Sequence, residues 1–598
     1  MPYHKLTSHI VAKSYFPIGS SITLALSTVD SDGKSPISTD TILLSSLYNE
    51  MHWSIFITKA RAQKSKIVFE NDLNLADSYV LQVRNVMEVE QNLKLLTTLH
   101  SWNPHANFLV LLNIVVDNYH TVISYFIERL WTRRQVLNVA ILVHNPKNPT
   151  HLNCFTWLPY INGHCGDQFK DKTIIGECFE GVIHIAESNG TLFPEKIPND
   201  LNGCPIRVQS YLLQPYVFPH DPEVIDENNA ATLEGVEKRL VDVIGQKLNL
   251  TPKYQISKKQ NTLAYTLKQL ATSKADLSIG AISPDNEKHK QFDFTHTYLD
   301  ESVTWCVPSS EETPRWKNFI FSFTYQSWIL IIFAYISCSM LTWYLSRNDV
   351  LESMNYRNLG TLLVWNYSIL MSISIPDQPR RPSARYIICS YIIFCFIASV
   401  TFQTFLMSVL TEPTFESQIS NFDELIKSNL DYGIMESHRR FYEADPKYTV
   451  VLEKAKLCED MNICLYNVSF HKNLAVALPR LYINYIGARF LDAKGRSLIH
   501  AFKSDIVTYP IEMLMSKGFP LLEKINMIVL YMKETGLLMK WRNDFLSETN
   551  AVDSDITVED EEEKGLTLQE VQISFLIILI GCSIASLVFV FELCWKRF

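Results

Sequence analysis

The chain has 598 residues, 47% hydrophobic and 20% charged, with a formal net charge of −9. That balance excludes a disordered or low-complexity polymer, and an acidic chain with no basic stripe is not built to hold nucleic acid. Mean hydropathy is +0.02, yet the apolar residues are bunched, so the average conceals the organisation.

Residues 1–200 are the least legible part. "SWNPHANFLVLLN" and "RRQVLNVAILVHNP" read as helix–strand units of a shortened α/β region, and the run Phe108–Val116 is too short to cross a bilayer and reads as a buried strand. "SYFPIGSSITLALS", after Lys5 and Lys13, makes a poor secretory h-region, so a missing leader is expected ahead of residue 1. From Leu201, "LNGCPIRVQSYLLQPYVF" reads as a strand opening a domain. "GVEKRLVDVIGQKLNLTPKYQI" and "LAYTLKQLATSKADLSIGAI" each read as a helix followed by a strand, the alternation of an α/β layer.

Three apolar runs follow, Trp328–Leu345, Tyr386–Leu410 and Val571–Trp595, with charges confined to their flanks. A spanning helix needs about 20 such residues, so each is a candidate transmembrane helix. Between the first two, Leu359–Ile375 carries polar interruptions and is better read as a re-entrant loop. Arg347, Arg357, Arg380, Arg381 and Arg385 flank it, and Lys596 and Arg597 follow the last run. Basic excess marks the cytoplasmic side, which leaves 412–568 and its acidic run Glu559–Glu563 outside. In that outer segment "NFDELIKSNLDYGIM" reads as helix into strand and "FPLLEKINMIVLYMKETGLLMKWRND" as a strongly helical close. Acceptor tripeptides for glycosylation begin at Asn189, Asn249 and Asn467, all in proposed extracellular parts, whereas Asn366 falls in the dipping loop.

These segments, in this order, resemble the ionotropic glutamate receptors, and specifically divergent insect chemosensory ionotropic receptors. "ADLSIGAISPDNEKHKQFDFT" is similar to the strand–loop of the first ligand-binding half, "TFQTFLMSVLT" to the gate motif, "MKETGLLMKWRND" to the closing helix of the second half, and "GLTLQEVQISFLIILIGCSIASLVFVFEL" to the last span. The resemblance runs from about Leu201 to the C-terminus. It implies an α/β fold plus transmembrane helices: a bilobed, periplasmic-binding-protein-like clamshell split by a pore unit (span, re-entrant loop, span) and followed by a third span. The expected layout is 1–200 as a shortened extracellular amino-terminal region, 201–318 as the first ligand-binding half, 319–346 as a span, 347–358 as a cytoplasmic loop and 359–379 as the re-entrant pore loop. Then come 386–411 as the gate helix, 412–568 as the second half and linker, 569–595 as the last span and 596–598 as a cytoplasmic tail.

Departures from the family pattern matter for ligand choice. Glutamate-binding members hold the ligand carboxylate with an arginine fork, and Lys288 stands there in this chain, with the charge but without the fork. Near the family's amine-holding acid stands Arg480, so an ammonium would meet a cation. Tyr216 in "QPYVF" resembles the aromatic lid, and Ser283 with His438 and Arg439 at a helix start complete the candidate ligand contacts. The alternatives are a solvated Lys288, a surface Arg480 and a core Tyr216. Two unpaired positive groups predict an acidic or polar neutral ligand rather than an amine, and without the fork and the amine-holding acid glutamate is not expected to bind.

The pore-loop tip is Met371, Ser372, Ile373 and Ser374, where family pores often carry Gln or Asn; carbonyls and hydroxyls there still pass cations. In the gate helix Thr401, Thr404, Ser408 and Thr411 fall on one face, proposed to meet the central axis, the alternative being hydroxyls bonded back to their own helix. Of twelve cysteines, Cys338, Cys389, Cys395, Cys582 and Cys594 lie in or near spans; outside them Cys458 and Cys464 close a short loop and are a disulfide candidate. No metal-ligand spacing, phosphate loop or nucleophile elbow occurs, so neither a metal nor another cofactor is expected and nothing points to catalysis. The expected role is a tuning subunit of a ligand-gated cation channel for taste or odour, in a heterotetramer with co-receptor subunits, in the dendritic or ciliary plasma membrane of sensory neurons and in contact with lipid. The alternative is a non-conducting binding or auxiliary subunit of the same fold.

Overall fold

A computed structural model describes the chain between 16 and 595, except 27–43, 49–52, 60–74, 113–118, 186–190, 221–232, 257–261, 314–322, 348–351, 412–414, 557–567 and a few shorter stretches. Asn189, the acidic run Glu559–Glu563, the tail 596–598 and the side chain of Thr411 lie outside the described residues.

The amino-terminal region is an eight-stranded sheet in the order Ser54–Lys59, Ser21–Leu26, Ser78–Val83, Asn107–Leu112, Val139–Asn145, Asn148–Thr156, Thr173–Phe179 and Val182–Ile185. Its first five strands are parallel and the last three join by antiparallel pairing. Ser78–Val83 is buried along its whole length, the run expected of a parallel strand covered on both faces. The weak secretory h-region is part of this sheet: Ile22 and Leu24 of Ser21–Leu26 are buried. Helices Val86–Leu96 and Tyr119–Arg134 cover one face through Val89, Leu93, Phe126 and Ile127.

Two five-stranded sheets form the following unit. One has the order Leu250–Gln255, Cys204–Ser210, Leu277–Ile279, Leu514–Ser516, Phe292–Phe294. The other has Lys456–Leu457, Asp431–Ile434, Leu474–Pro479, Leu299–Pro308, Ile499–Ile511. Each predicted helix–strand pair is present, as in Val236–Leu248 with Leu250–Gln255 and Phe422–Lys427 with Asp431–Ile434.

Sheet membership crosses the expected division into halves. Leu299–Pro308, placed in 201–318, pairs with Leu474–Pro479 and Ile499–Ile511 in the second of these sheets. Leu514–Ser516, placed in 412–568, returns to pair with Leu277–Ile279 and Phe292–Phe294 in the first. Helix Leu522–Glu534 follows it back and packs against Val236–Leu248. The physical reason is backbone pairing: Leu299–Pro308 and Ile499–Ile511 are so long that their mutual ladder decides which sheet they join. The helical close is two helices, Leu522–Glu534 and Leu537–Ile556, parted at Gly536, whose φ of 72° lies in the left-handed region that glycine enters without a Cβ clash. Among the described residues two disulfides are formed, Cys165–Cys204 and Cys458–Cys464, and the first ties the amino-terminal region to the Cys204 strand.

Among the described residues, three helices are long and apolar enough to cross a membrane, over Tyr325–Ser346, Pro382–Ser408 and Phe575–Cys594. Helix Leu359–Leu370 packs on the first two, with twelve residues rising about 18 Å against a hydrocarbon layer of about 30 Å. Asn366 donates to Ser339 Oγ at 2.9 Å, Tyr391 O–H reaches Asn366 O at 3.3 Å, and Tyr335 O–H reaches Leu363 O at 3.1 Å. These bonds pin the short helix between its longer neighbours, the arrangement that makes polar residues tolerable at such depth.

Candidate functional site

The strand Leu277–Ile279 ends at Gly280, where φ is 131° and a Cβ would come within 2.4 Å of Tyr211 O. Only glycine fits so close an approach. Glu237, fully buried in the first turn of Val236–Leu248, then holds the loop by accepting from Gly280 N at 2.5 Å and Ala281 N at 3.0 Å. Burial raises its carboxyl above the usual range, while the bond from Tyr298 O–H opposes the rise. This anchored loop delivers Ser283, Pro284 and Asp285. Asp285 caps helix Asn286–Gln291 by accepting from Lys288 N at 2.7 Å, as a short carboxylate at a helix start does.

Opposite lies the short helix Arg439–Glu443, which follows strand Asp431–Ile434 of the other sheet. Arg440 reaches from it across to the loop. Its guanidinium donates to Asp285 Oδ2 at 2.6 Å, Ser283 Oγ at 2.5 Å and Pro284 O at 3.2 Å, and lies 4.7 Å over the Phe441 ring. Lys288 Nζ shares the same Asp285 oxygen at 2.9 Å and donates to Ser283 O at 2.9 Å. Burial works to raise the Asp285 carboxyl, but the bonds and charges of Lys288, and then Arg440, hold it below the usual carboxylate range. His438 is buried beside them, with Nε2 3.3 Å from Tyr509 O–H. Burial first, then the charges of Arg440 and Lys288, bring its pKa down to about 4, so it is neutral near pH 7. His438 Nδ1 and Arg440 Nε are buried with no hydrogen-bond partner.

Tyr216 is buried and donates to Glu301 Oε2 at 2.6 Å. Glu301, itself buried on Leu299–Pro308, accepts from Ser302 N at 2.9 Å and from Leu481 N at 3.3 Å, in the first turn of helix Arg480–Gly487. Burial raises its carboxyl above the usual value.

The structure brings Ser283, Lys288 and His438 into one cluster and leaves Arg439 and Arg480 out of it. Arg439 is exposed and pairs with Glu443 at 3.0 Å, one turn along its own helix. Arg480 donates to Asp505 Oδ1 at 2.8 and 2.5 Å and to Phe502 O at 2.8 Å. The expectation of two unpaired cations is therefore corrected: Lys288 has Asp285, Arg480 has Asp505, and a carboxylate partner lowers the cost of a partly desolvated charge. Glu301 accepts from Leu481 N, so an acid also lies at the start of the helix that carries Arg480. Sequence reasoning missed Arg440, Asp285, Glu301 and Tyr509. "SPDNEK" held a usable signal for Asp285, a helix cap after proline.

After helix Leu359–Leu370, Met371, Ser372, Ile373 and Ser374 are all exposed, and Ser372, at φ 61°, donates to Ser399 Oγ at 3.3 Å. Thr401 and Thr404 donate back to Ile397 O and Val400 O, each at 2.8 Å, which is the alternative weighed for them. Their face, with Ser408, is exposed, while Phe402, Phe405 and Leu406 are half-buried and Phe402 stacks on Phe323 at 6.2 Å. Asn249 is exposed, whereas Asn467 is half-buried in a helical turn with Ser469 beneath it.

A family model described as "Ligand-gated ion channel" matches residues 324–582. Ionotropic receptor 21a of Anopheles gambiae is 21% identical over 450 residues, 68% of this chain and 45% of that protein. Ionotropic receptor 25a of Drosophila melanogaster is 21% identical over 56% of this chain and 40% of its own length. Glutamate receptor 3.2 of Arabidopsis thaliana is 23% identical over 53% and 34% respectively. The chain spans less than half the length of each of these relatives. The match over residues 324–582 and these relatives make the chain similar to ligand-gated ion channels, and they fit a divergent ionotropic receptor of the ionotropic glutamate receptor superfamily.

Proposed function

We propose that the chain is a subunit of a ligand-gated cation channel, tuning a heteromeric chemosensory receptor with co-receptor subunits of its own family. The two five-stranded sheets act as halves of a clamshell around the cluster of Ser283, Asp285, Lys288, His438 and Arg440. The observation that carries this reading is the Arg440–Asp285 pair at 2.6 Å. It joins a loop before the first span to a helix after the second, so any change at the pair is passed to both spans. Lys288 and Arg440 face the single carboxylate of Asp285, so the cluster keeps an excess of positive charge that suits a small molecule with an acidic or polar neutral head, and glutamate is disfavoured because Lys288 supplies no fork.

The test is current recorded from cells expressing the chain with and without an ionotropic co-receptor. Ligand-evoked cation current is expected only with the co-receptor, and none with glutamate on the chain alone. A robust glutamate current with Lys288 intact overturns the pocket reading. The exposed hydroxyl face of the gate helix meets neighbouring subunits, so Ser408→Phe leaves a ligand-independent leak and Val409→Phe does not. Equal leak from both overturns that placement. The pore tip Met371–Ser374, without Gln or Asn, favours a second reading, a non-conducting auxiliary subunit, which predicts surface expression and no current in any pairing.

A further inference from the structure

A cavity of about 600 Å³ lies where the amino-terminal sheet meets the ligand-binding unit. Three stretches far apart in sequence line it: the starts of neighbouring parallel strands at Asn107 and Asn138, the segment 191–197, and the start of helix Leu522–Glu534. Its size is that of sites for drug-sized molecules. Its walls are fixed by bonds across the junction. Lys524 pairs with Glu195 at 2.6 Å and reaches Asn199 at 2.8 Å, and His105 pairs with Asp293 at 2.7 Å. Asp293 also accepts from Gly518 N at 2.7 Å, and Ser516 donates to Gln135 at 3.0 Å.

Lys196 is in the wall and only 4% exposed. Its ammonium donates to Leu137 O at 2.8 Å, Val139 O at 3.4 Å and Thr156 Oγ1 at 2.7 Å. All three are neutral, and no carboxylate among the described residues pairs with it. Contrast Lys524 and His105 in the same wall, each with its own acid. A buried charge without a counter-charge is costly, and the cavity that Lys196 lines offers room for one to bind. Leu137, Phe193, Ile197 and Met527 supply apolar surface for the rest of such a molecule.

We propose that this cavity binds a small organic anion, an apolar body with one carboxylate or phosphate group that neutralises Lys196, at a site separate from the Arg440 cluster. Burial brings the Lys196 pKa to about 7, so the free site is half-charged near neutrality. An anion favours the protonated form, so binding takes up a proton and weakens as pH rises above that value. The other charged groups facing the cavity are Glu195, Lys524 and His105, each already paired, and Glu523 at the exposed rim.

The test uses the full chain in detergent, with melting temperature as readout and hexanoate, phenyl phosphate and neutral hexanamide as probes. Hexanoate or phenyl phosphate is expected to raise the melting temperature, and the larger response identifies the head group. Hexanamide is expected to do nothing. The apparent affinity should fall by about tenfold per pH unit above the Lys196 pKa. Lys196→Met removes the response and its pH dependence, Asn107→Trp removes it by filling the space, and Arg440→Gln retains it. No response to either anion at millimolar concentration, an equal response to hexanamide, or a response retained in both Lys196→Met and Asn107→Trp overturns the proposal. Loss in Arg440→Gln overturns it in favour of binding at the other cluster. Because the readout is melting, a channel that never conducts leaves the test intact.

Discussion

Arg440 and Lys196 each bring a cation to a junction between segments distant in sequence, and they meet opposite surroundings. Arg440 finds a carboxylate, a hydroxyl and a carbonyl arranged to suit its planar fork. Lys196 finds two carbonyls and a hydroxyl, which satisfy its hydrogens and leave its charge uncompensated. A paired fork is therefore a clasp between two parts of the chain, while an uncompensated ammonium beside an open space invites a partner from solution. Hydrogen-bond satisfaction and charge compensation are separate requirements, and the two junctions differ in the second.

The sharpest way to break the comparison is to truncate both cations. Arg440→Ala should destabilise the chain by about 1–3 kcal/mol, since it leaves Ser283 Oγ without its donor and Asp285 with Lys288 alone. Arg440→Lys should recover only part of this, because an ammonium lacks the planar fork whose two ends reach Asp285 and Ser283. Thermal melting of the full chain measures both variants, and a loss from Arg440→Ala no larger than that of an exposed control would mean that the clasp contributes nothing.

Lys196→Met should lie within about 1 kcal/mol of the parent or above it, because replacing an uncompensated buried cation by a thioether of similar length removes a desolvation cost. A loss as large as that of Arg440→Ala would make the three neutral bonds more valuable than the charge is costly.

The pH dependence then separates the two junctions by sign and range. The Lys196 pKa is about 7 folded and 10.5 in the reference state, so between those values the unfolded chain binds more protons and stability rises with pH. Lys196→Met should flatten that rise. His438 has its folded pKa near 4 against a reference of 6.5, so as pH falls through that interval the unfolded chain takes up the proton first and stability falls. His438→Gln should reduce the acid-side loss. Melting curves across both intervals check the pair, and a stability maximum unmoved by either substitution would remove both residues from the balance.

The smallest effect belongs to the neighbour of Arg440. Arg439→Ala should change stability by less than about 0.5 kcal/mol, because its pair with Glu443 is exposed and screened. Adjacent arginines then differ several-fold in consequence, and equal losses would show that helix position decides nothing here.

That contrast marks where sequence reasoning reached its limit at the site. "HRR" at a helix start announced positive charge, but successive helical residues point about 100° apart, and which of Arg439 and Arg440 faces the loop depends on how the helix is seated. Lys288 is legible from its place in the stretch that resembles the family's ligand-binding loop, while that resemblance does not mark its partner Asp285. Arg480 was legible as a cation, but the acid that neutralises it, Asp505, comes from a strand 25 residues on, and no local pattern links the two.

Local order was open to the sequence because its causes are local. Hydropathy over a window marks the spans, and the apolar period marks helices such as Val236–Leu248. Sheet membership was not, because backbone pairing is indifferent to chain order: Leu299–Pro308 and Leu514–Ser516 each joined the sheet on the far side of the expected boundary. Nor could the sequence say which charges would be compensated. Ion pairing acts over a few ångströms between residues up to hundreds apart along the chain, as in His105 with Asp293, so only the folded arrangement decided that Arg440 would close a junction and Lys196 would be left facing a cavity.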